Sequence, residues 1–236
     1  LVTGSNGYIG KNLIPVLLEN NEKVTAMVRL EGIDIPDHQQ SNIDVVFADL
    51  LDKNSLNKVP NSISTAYYLV HSMSDNAEDF AERELRAVKN FISCMESRGC
   101  QHIIYLSGLT HGEQLSEHLQ SRLAVEKELM NCAISCTVLR AGIIVGAGSA
   151  SFEIIRDLVE KLPVMIAPKW VNNRCQPIAL HDIIFYLNAV RDNPKCYNQT
   201  FDTGGPEILS FRDILLQLAE ERKLKRYIIP VPALTP

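Results

Sequence analysis

Leu1-Val2-Thr3-Gly4-Ser5-Asn6-Gly7-Tyr8-Ile9-Gly10 is the stretch that decides the fold, because an apolar run leads into three evenly spaced glycines and the start of a helical pattern. Gly4 permits a tight turn after a buried strand, Gly7 lets a ligand approach the backbone, and Gly10 lets the helix pack closely on the sheet. The first N–H groups of that helix and the positive end of its dipole favour a phosphate. A glycine-rich turn of this kind also occurs in unrelated α/β proteins, so its surroundings decide its meaning.

The surroundings of the glycine turn favour a dinucleotide site. Leu13, Val16, Leu17 and Leu18 give the following segment a helical apolar face, and residues 23–29 have the composition of a second strand. A strand, a glycine turn and a helix in this order are typical of a pyrophosphate site. We therefore predict that Gly4, Gly7 and Gly10 belong to a cofactor-binding turn.

The end of the second strand indicates which dinucleotide is bound. An acidic residue on the ribose hydroxyls is usual here in NAD-selective folds, but this chain has Val28-Arg29. An acid would repel the additional phosphate of NADP, whereas a guanidinium can pair with that phosphate and stack on the adenine. We predict NADP(H) as the cofactor in preference to NAD(H). The alternative is that Arg29 is an ordinary solvated arginine at a strand end.

Composition and charge limit the classes of protein that fit. The chain has 236 residues, 46% hydrophobic residues and a formal net charge of −5, which together predict one globular α/β domain without a surface for nucleic acid. No apolar run is long enough to span a membrane, and no metal-binding spacing is visible among the six cysteines, which we expect to be free thiols of a cytoplasmic protein. The chain begins inside its first strand without Met, so we expect further residues upstream.

Alternating strand and helix patterns predict the architecture. Further strands are expected at residues 43–48, 66–71, 103–107 and 137–140. A long helix with apolar positions from residue 81 to residue 95 is expected to stop at Gly99, and a further helix is expected from about residue 117 to residue 132. This alternation predicts a doubly wound parallel sheet of the Rossmann type. After Gly142 the rhythm breaks, and we expect residues of about 143–180 and 204–236 to form a small C-terminal substrate lobe of the same domain. Its expected cleft residues are Gly146–Phe152, Trp170–Arg174 and Gly204-Gly205, although Trp170 also fits a packing role.

Several short sequence motifs along the chain resemble motifs of known protein families. The glycine motif, Asp49-Leu50, Leu139-Arg140-Ala141-Gly142 and Phe201-Asp202-Thr203-Gly204-Gly205 are similar to landmarks of extended and atypical short-chain dehydrogenase/reductases. Within that superfamily, Tyr68-Leu69-Val70-His71-Ser72-Met73 and Leu162-Pro163-Val164-Met165 resemble the NmrA-like NAD(P)-binding proteins of bacteria. The resemblance covers essentially the whole chain. Many relatives have a further C-terminal domain, so we expect this sequence to be a fragment of a longer protein.

The resemblance implies specific cofactor contacts. It places Leu106 and Ser107 near the nicotinamide ribose. For Asp49, the alternative to a cofactor contact is a helix N-cap for the segment that starts near Asp52. The remaining contacts implied are Ser5, Asn6, Gly7, Tyr8 and Ile9 at the pyrophosphate, Asp49 and Leu50 at the adenine, and Leu69, Val70 and His71 at the adenine-side ribose.

The catalytic pattern departs from that of the superfamily. Its reductases use a serine with a tyrosine and a lysine four residues apart, the tyrosine transferring the proton and the lysine holding the ribose. Ser107 and Lys127 fit the first and last positions, but Leu123 replaces the tyrosine. Lys127 itself could act as the acid, as in the isoflavone-reductase-like branch. The other candidates are His71, His111 and His118, each of which also fits a surface role, as Lys127 fits a solvated lysine.

Two functional classes therefore stay open. One is an NADP-dependent oxidoreductase whose acceptor, such as a quinone, needs little help from a tyrosine. The other is a non-catalytic NADP(H) redox sensor that regulates a protein partner. A sugar-nucleotide epimerase is a third alternative, but epimerases of this superfamily also require the missing tyrosine. The sequence identifies neither the small-molecule substrate nor the partner.

Overall fold

The computed structural model describes residues 1–29, 42–70, 77–109 and 116–231, with only the backbone described for residues 77–80. Its elements alternate as the sequence predicts. The helices are α1 (Tyr8–Glu19), α2 (Ala77–Ser97), α3 (Glu117–Asn131), α4 (Ala150–Lys161), α5 (Leu180–Ala189) and α6 (Phe211–Glu221). The strands are β1 (Val2–Thr3), β2 (Val24–Val28), β3 (Ile43–Phe47), β4 (Thr65–Tyr68), β5 (His102–Gly108), β6 (Ser135–Ala141), β7 (Ile144–Val145), β8 (Val164–Pro168), β9 (Arg174–Cys175), β10 (Ile178–Ala179), β11 (Gln199–Thr203), β12 (Leu209–Ser210) and β13 (Tyr227–Val231).

Seven of the strands form one central sheet, in the order β11-β6-β5-β4-β1-β2-β3. Strand β1 pairs in parallel with β2 and β4, β2 pairs with β3, and β4 pairs with β5. All residues of β2 and β5 are buried, as expected for parallel strands covered on both faces. The chain therefore has the predicted Rossmann-type α/β fold, and its parallel strands present their carboxyl ends at one edge.

The packing of the helices follows the apolar pattern of the sequence, with small differences. Leu13, Ile14, Leu17 and Leu18 are the large apolar side chains that α1 buries, so Ile14 lies on the buried face and Val16 lies beside it. The predicted end of α2 at Gly99 is present, because this residue adopts φ +71° and the Cys100 N–H donates to the Met95 carbonyl. All six cysteines are free thiols.

The chain divides into two compact units, of which the first contains Leu1–Arg140 and Ile184–Asp202. The second contains Ala141–Ile183 and Thr203–Pro236, a range that overlaps the predicted substrate lobe. The second unit has its own apolar core, in which Ile155, Met165, Leu215 and Ile228 are buried. Within the described ranges, no helix is long and apolar enough to cross a membrane, and no group of His, Cys, Asp and Glu could hold a metal ion.

Candidate functional site

The glycine turn joins β1 to α1 at the carboxyl edge of the sheet. Gly4 has φ +63°, and a Cβ atom at this position would lie 2.9 Å from the Leu69 carbonyl oxygen. The Gly7 N–H donates to the Gly4 carbonyl over 2.9 Å and closes the turn. The turn and the residue that follows β4 therefore approach each other so closely that only glycine fits at position 4.

The start of α1 packs tightly against this turn. A Cβ atom at Gly10 would lie 2.5 Å from the Gly4 carbonyl oxygen and 2.8 Å from the Ser5 Cα atom. The Ser5 hydroxyl donates to the Val2 carbonyl over 2.6 Å, and the Ser5 N–H donates to the Met27 carbonyl over 3.4 Å. Both donors of Ser5 therefore point into the fold. Asn6 and Gly7 are exposed in front of the helix, where we expect a phosphate to bind.

Thr3 connects the turn to the neighbouring strand, a role that the sequence did not reveal. Its hydroxyl donates to the Tyr67 carbonyl over 3.0 Å and accepts from the Leu69 N–H over 3.0 Å. This pair of hydrogen bonds fixes Leu69 beside Gly4. Leu69 and Val70 are half-buried, while His71 lies outside the described residues. The predicted contact of this segment with a ribose stays a prediction.

Arg29 follows the last residue of β2 and is exposed. Because β1 and β2 are paired, with Thr3 opposite Met27, Arg29 directly follows the end of the strand that neighbours the glycine turn. The residues that follow it, 30–41, lie outside the described ranges. The exposed guanidinium at this position is compatible with both interpretations of Arg29 given above.

Asp49 organises the turn after β3. Its Oδ1 atom accepts from the Leu51 N–H over 2.9 Å, and its own N–H donates to the Ser55 hydroxyl over 2.9 Å. The next short helix, Ser55–Lys58, has Asn54 at its N-cap, so Asp49 caps a turn and not that helix. Leu50 is buried, and its carbonyl accepts from Asn90 over 2.7 Å. An adenine contact at Asp49 and Leu50 stays a prediction.

Ser107 lies near the end of β5, with only 2% of its surface exposed, and Leu106 is also buried. On the same face of the strand, the Tyr105 hydroxyl donates to the Arg122 carbonyl of α3 over 3.4 Å. Burial raises the pKa of Tyr105 well above its usual range, so this phenol keeps its proton at neutral pH. Helix α3 crosses the strand end here, since a Cβ atom at Gly108 would lie 3.0 Å from Leu119 Cδ2.

Helix α3 presents Leu123 and Lys127 on one exposed face. The two residues are one turn apart, and 37% of the Leu123 surface is exposed. Leu123 is the residue that the resemblance assigns to the position of the superfamily's tyrosine, and its carbon side chain has no group that could transfer a proton; the assignment stays a prediction. His118 is exposed near the start of α3, and His111 lies outside the described residues.

A partly buried ion pair joins α3 to β6, and the sequence did not reveal it. The Arg140 guanidinium of β6 donates to both carboxylate oxygens of Glu126, over 3.0 and 2.6 Å. These hydrogen bonds raise the pKa of Arg140 above its ordinary value. A second carboxylate, that of Asp202, lies 3.8 Å from the guanidinium. Because Glu126 directly precedes Lys127, the ion pair directs Glu126 inward and leaves Lys127 on the exposed side of the helix.

Comparison with known proteins places this arrangement in context. The model of the NmrA-like family matches residues 1–162. The chloroplastic divinyl chlorophyllide a 8-vinyl-reductase of Cucumis sativus is 25% identical over 224 residues, which cover 87% of this chain and 52% of that protein. The enzyme of the same name from Oryza sativa subsp. indica is 26% identical over 221 residues, 87% of this chain and 54% of that protein. The chain thus spans about half the length of the curated relatives it matches.

Solved structures share the fold at low sequence identity. A nucleoside-diphosphate-sugar epimerase from Staphylococcus aureus has a TM-score of 0.80 and 17% identity, with 98% of this chain and 79% of that chain covered. A short-chain dehydrogenase/reductase superfamily protein from Agrobacterium tumefaciens, with bound NAD, has a TM-score of 0.77 and 15% identity, with 98% and 84% covered.

Proposed function

Because the chain belongs to the NmrA-like family, a group of NAD(P)-binding proteins with the Rossmann-type fold, we propose that it is an NADP(H)-dependent oxidoreductase that works without a tyrosine acid. The observation that carries the proposal is that Leu123 and Lys127 lie one turn apart on one exposed face of α3. From the resemblance of the sequence, we assign them to the positions of the superfamily's tyrosine and lysine. A lysine here keeps the ribose-binding and proton-donating capacity of the helix while the tyrosine is absent.

The residues at the carboxyl edge fit a dinucleotide. The glycine turn leaves backbone at Asn6 and Gly7 exposed before the N-terminus of α1, where a pyrophosphate is stabilised by helix N–H groups. Arg29 would pair with the additional phosphate of NADP and distinguish it from NAD. When bound, the reduced cofactor would supply a hydride. The role of the protein would be to orient the cofactor, exclude water and provide a proton.

The proposed substrate has an activated carbon–carbon double bond. This class is supported by the relatives, whose names describe reduction of a vinyl group. In such a reduction, the hydride adds to one carbon of the double bond, and the carbon that gains negative charge takes a proton, so that the product is an alkyl group and the cofactor is oxidised. Lys127 would hold the ribose and provide this proton, because its ammonium group has three donors.

The test measures NADPH oxidation with a divinyl tetrapyrrole and, as a matched control, with the corresponding compound in which one vinyl group is already an ethyl group. We expect oxidation of NADPH with formation of the ethyl product in the first case and a much lower rate in the second. Quinones and enones extend the panel. Tight NADPH binding together with no turnover on any acceptor of the panel would contradict the proposal and favour the redox sensor.

A further inference from the structure

The second unit contains a cavity of about 520 Å³ that none of the predicted cofactor residues lines. Helix α4 and strand β8 form two of its walls, and α6 and the short helix Lys169–Asn172 complete it. Its floor consists of buried side chains from the core of this unit, Ile155, Met165 and Leu215. The cavity is therefore a concave extension of a packed core and not a gap between loops.

Large apolar side chains at the rim are exposed to an unusual degree. Ile154 is 62% exposed and Ile166 is 67% exposed, and both line the cavity. Single exposed apolar residues are common, but a contiguous apolar patch around a concavity marks a binding site. Trp170, the chain's one tryptophan, also lines the rim and has its ring 5.4 Å from that of Phe211 in an edge-to-face arrangement.

The chemistry of the lining restricts the ligand. Ser151 is the one polar side chain that lines the cavity within the described ranges, and no ionisable side chain of those ranges does so. A charged ligand would lose its hydration without gaining a counter-charge, which disfavours its binding. A flat apolar ring would gain contact area with Trp170 and Phe211, because aromatic side chains offer large surfaces with few rotatable bonds.

We propose that this cavity is a binding site for an uncharged, ring-containing apolar small molecule. Its volume falls within the roughly 300–1,000 Å³ typical of small-molecule pockets, and an apolar lining with one polar group matches their usual composition. The site is formed by the second unit alone and requires no cofactor. Its occupancy thus goes beyond the proposed hydride transfer and can be tested in the absence of NADPH.

A matched pair of probes tests whether the cavity prefers an uncharged ligand to a charged one. N-phenyl-1-naphthylamine and 1-anilinonaphthalene-8-sulfonate share one ring skeleton, and the second adds a sulfonate. With the full 236-residue chain, we expect one site per chain, an affinity about tenfold or more higher for the neutral probe, and quenching of Trp170 emission on binding. Equal affinity for both probes, or binding of the neutral probe without any change in Trp170 emission, would overturn the proposal.

Substitutions at exposed positions test the location without disturbing the core. Ile154→Asp places a carboxylate at the rim and is expected to weaken the neutral probe about tenfold or more, whereas Ile154→Leu keeps the affinity. Phe185→Asp is the matched control, since Phe185 is 59% exposed on α5 and does not line the cavity. An equal loss in both Asp variants would contradict the location.

A second copy of the chain is the competing occupant. Sedimentation velocity of the unliganded protein distinguishes the two, because a small-molecule site predicts a sedimentation coefficient that is unaffected by Ile154→Asp. A dimer that dissociates in the Ile154→Asp variant and persists in the Phe185→Asp variant would show that the apolar rim is an interface between copies, and would overturn the proposal.

Discussion

Arg29 and Lys127 are the two charged residues on which the proposed function depends most. Both are exposed, Arg29 after β2 and Lys127 on α3. An exposed cation gains little from a single exposed carboxylate, but a phosphate with several anionic oxygens offers stronger, bidentate hydrogen bonds to arginine. At the residue scale, the prediction is therefore that each cation has a larger effect on ligand binding or turnover than on stability.

Arg29→Ala is expected to lower the affinity for NADP(H) about tenfold or more and to leave the affinity for NAD(H) unchanged, because the lost charge-assisted hydrogen bond is worth roughly 1.5–3 kcal/mol. Calorimetric titration with both cofactors measures the two affinities. Lys23→Ala is the matched control, since Lys23 is an exposed cation at the opposite end of β2. Unchanged NADP affinity in Arg29→Ala would show that the arginine is only solvated.

Lys127→Ala is expected to reduce turnover about 100-fold, the scale of one positioned acid–base group, with the fold intact because the side chain is exposed. Steady-state NADPH oxidation measures the effect, and Lys89→Ala on α2 is the control.

Leu123→Tyr should increase carbonyl reduction if α3 has the superfamily's geometry. If Leu123→Tyr binds NADPH normally and neither it nor the parent reduces any acceptor, the oxidoreductase proposal fails.

At the scale of elements, the glycine turn contains one glycine that is needed for folding and another that is needed for cofactor binding. Gly10 faces the turn from inside α1, whereas Gly7 is exposed in front of the helix. An added Cβ atom would lie 2.5 Å from the Gly4 carbonyl oxygen at Gly10 but 3.0 Å from the same oxygen at Gly7, where a shift of this carbonyl by a few tenths of an ångström would accommodate it. The two glycines therefore predict different mutant phenotypes, although they belong to one motif.

Gly10→Ala is expected to destabilise the fold by about 1–3 kcal/mol, because the methyl group collides with the Gly4 carbonyl. Gly7→Val should instead leave a folded protein that has lost cofactor affinity, since the branched side chain occupies the approach to the phosphate site. Thermal unfolding and calorimetric titration measure the two properties on the same samples. A folded Gly7→Val protein with normal affinity would show that the phosphate binds elsewhere.

The elements also show how far the sequence alone leads. Helix α3 was predicted at about residues 117–132, within one residue of its observed end at Asn131. The structure adds the local reason for its start, since the Ser116 side chain accepts a hydrogen bond from the Leu119 N–H. Its orientation was not predicted, because the Glu126–Arg140 pair joins a helix to a strand across the fold. The sequence left Asp49 open between an adenine contact and a helix cap. The structure shows that its carboxylate accepts from the Leu51 N–H of a turn, a contact that local sequence does not distinguish from a helix cap.

At the scale of the whole molecule, each unit has its own apolar core and its own candidate site. The residues predicted to bind the cofactor that the structure describes lie in the first unit, and the apolar cavity lies in the second. The pattern of glycines and strands predicted the first site. At the second, Ser151 and Trp170 belong to segments that the sequence analysis expects at a cleft, and both line the cavity. The walls from α4 and α6 were not predicted, because a helical apolar period does not distinguish a core face from a pocket face.

The stability of the whole molecule is expected to depend on pH through His102. This side chain is 1% exposed, and its Nε2 atom lies 2.8 Å from the Thr137 hydroxyl, which itself donates to the Cys196 carbonyl. Thr137 therefore accepts a hydrogen bond from Nε2–H of His102. Burial lowers the pKa of His102 to about 4, with a small opposing effect from Asp192. Protonation at Nδ1, which has no hydrogen-bond partner among the described residues, would place an unpaired charge in the core.

Since the unfolded chain takes up this proton near pH 6.5 and the folded protein only near pH 4, the free energy of unfolding should fall as the pH decreases between these values. The slope contributed by His102 is about 1.4 kcal/mol per pH unit, or on the order of 3 kcal/mol over the interval. His102→Gln keeps a donor for Thr137 without a titrating group, so denaturant unfolding of this variant should lack that part of the pH dependence. His181→Gln, at a side chain that is 91% exposed, should behave like the parent. Identical pH profiles for His102→Gln and the parent would mean that His102 titrates normally in the folded protein.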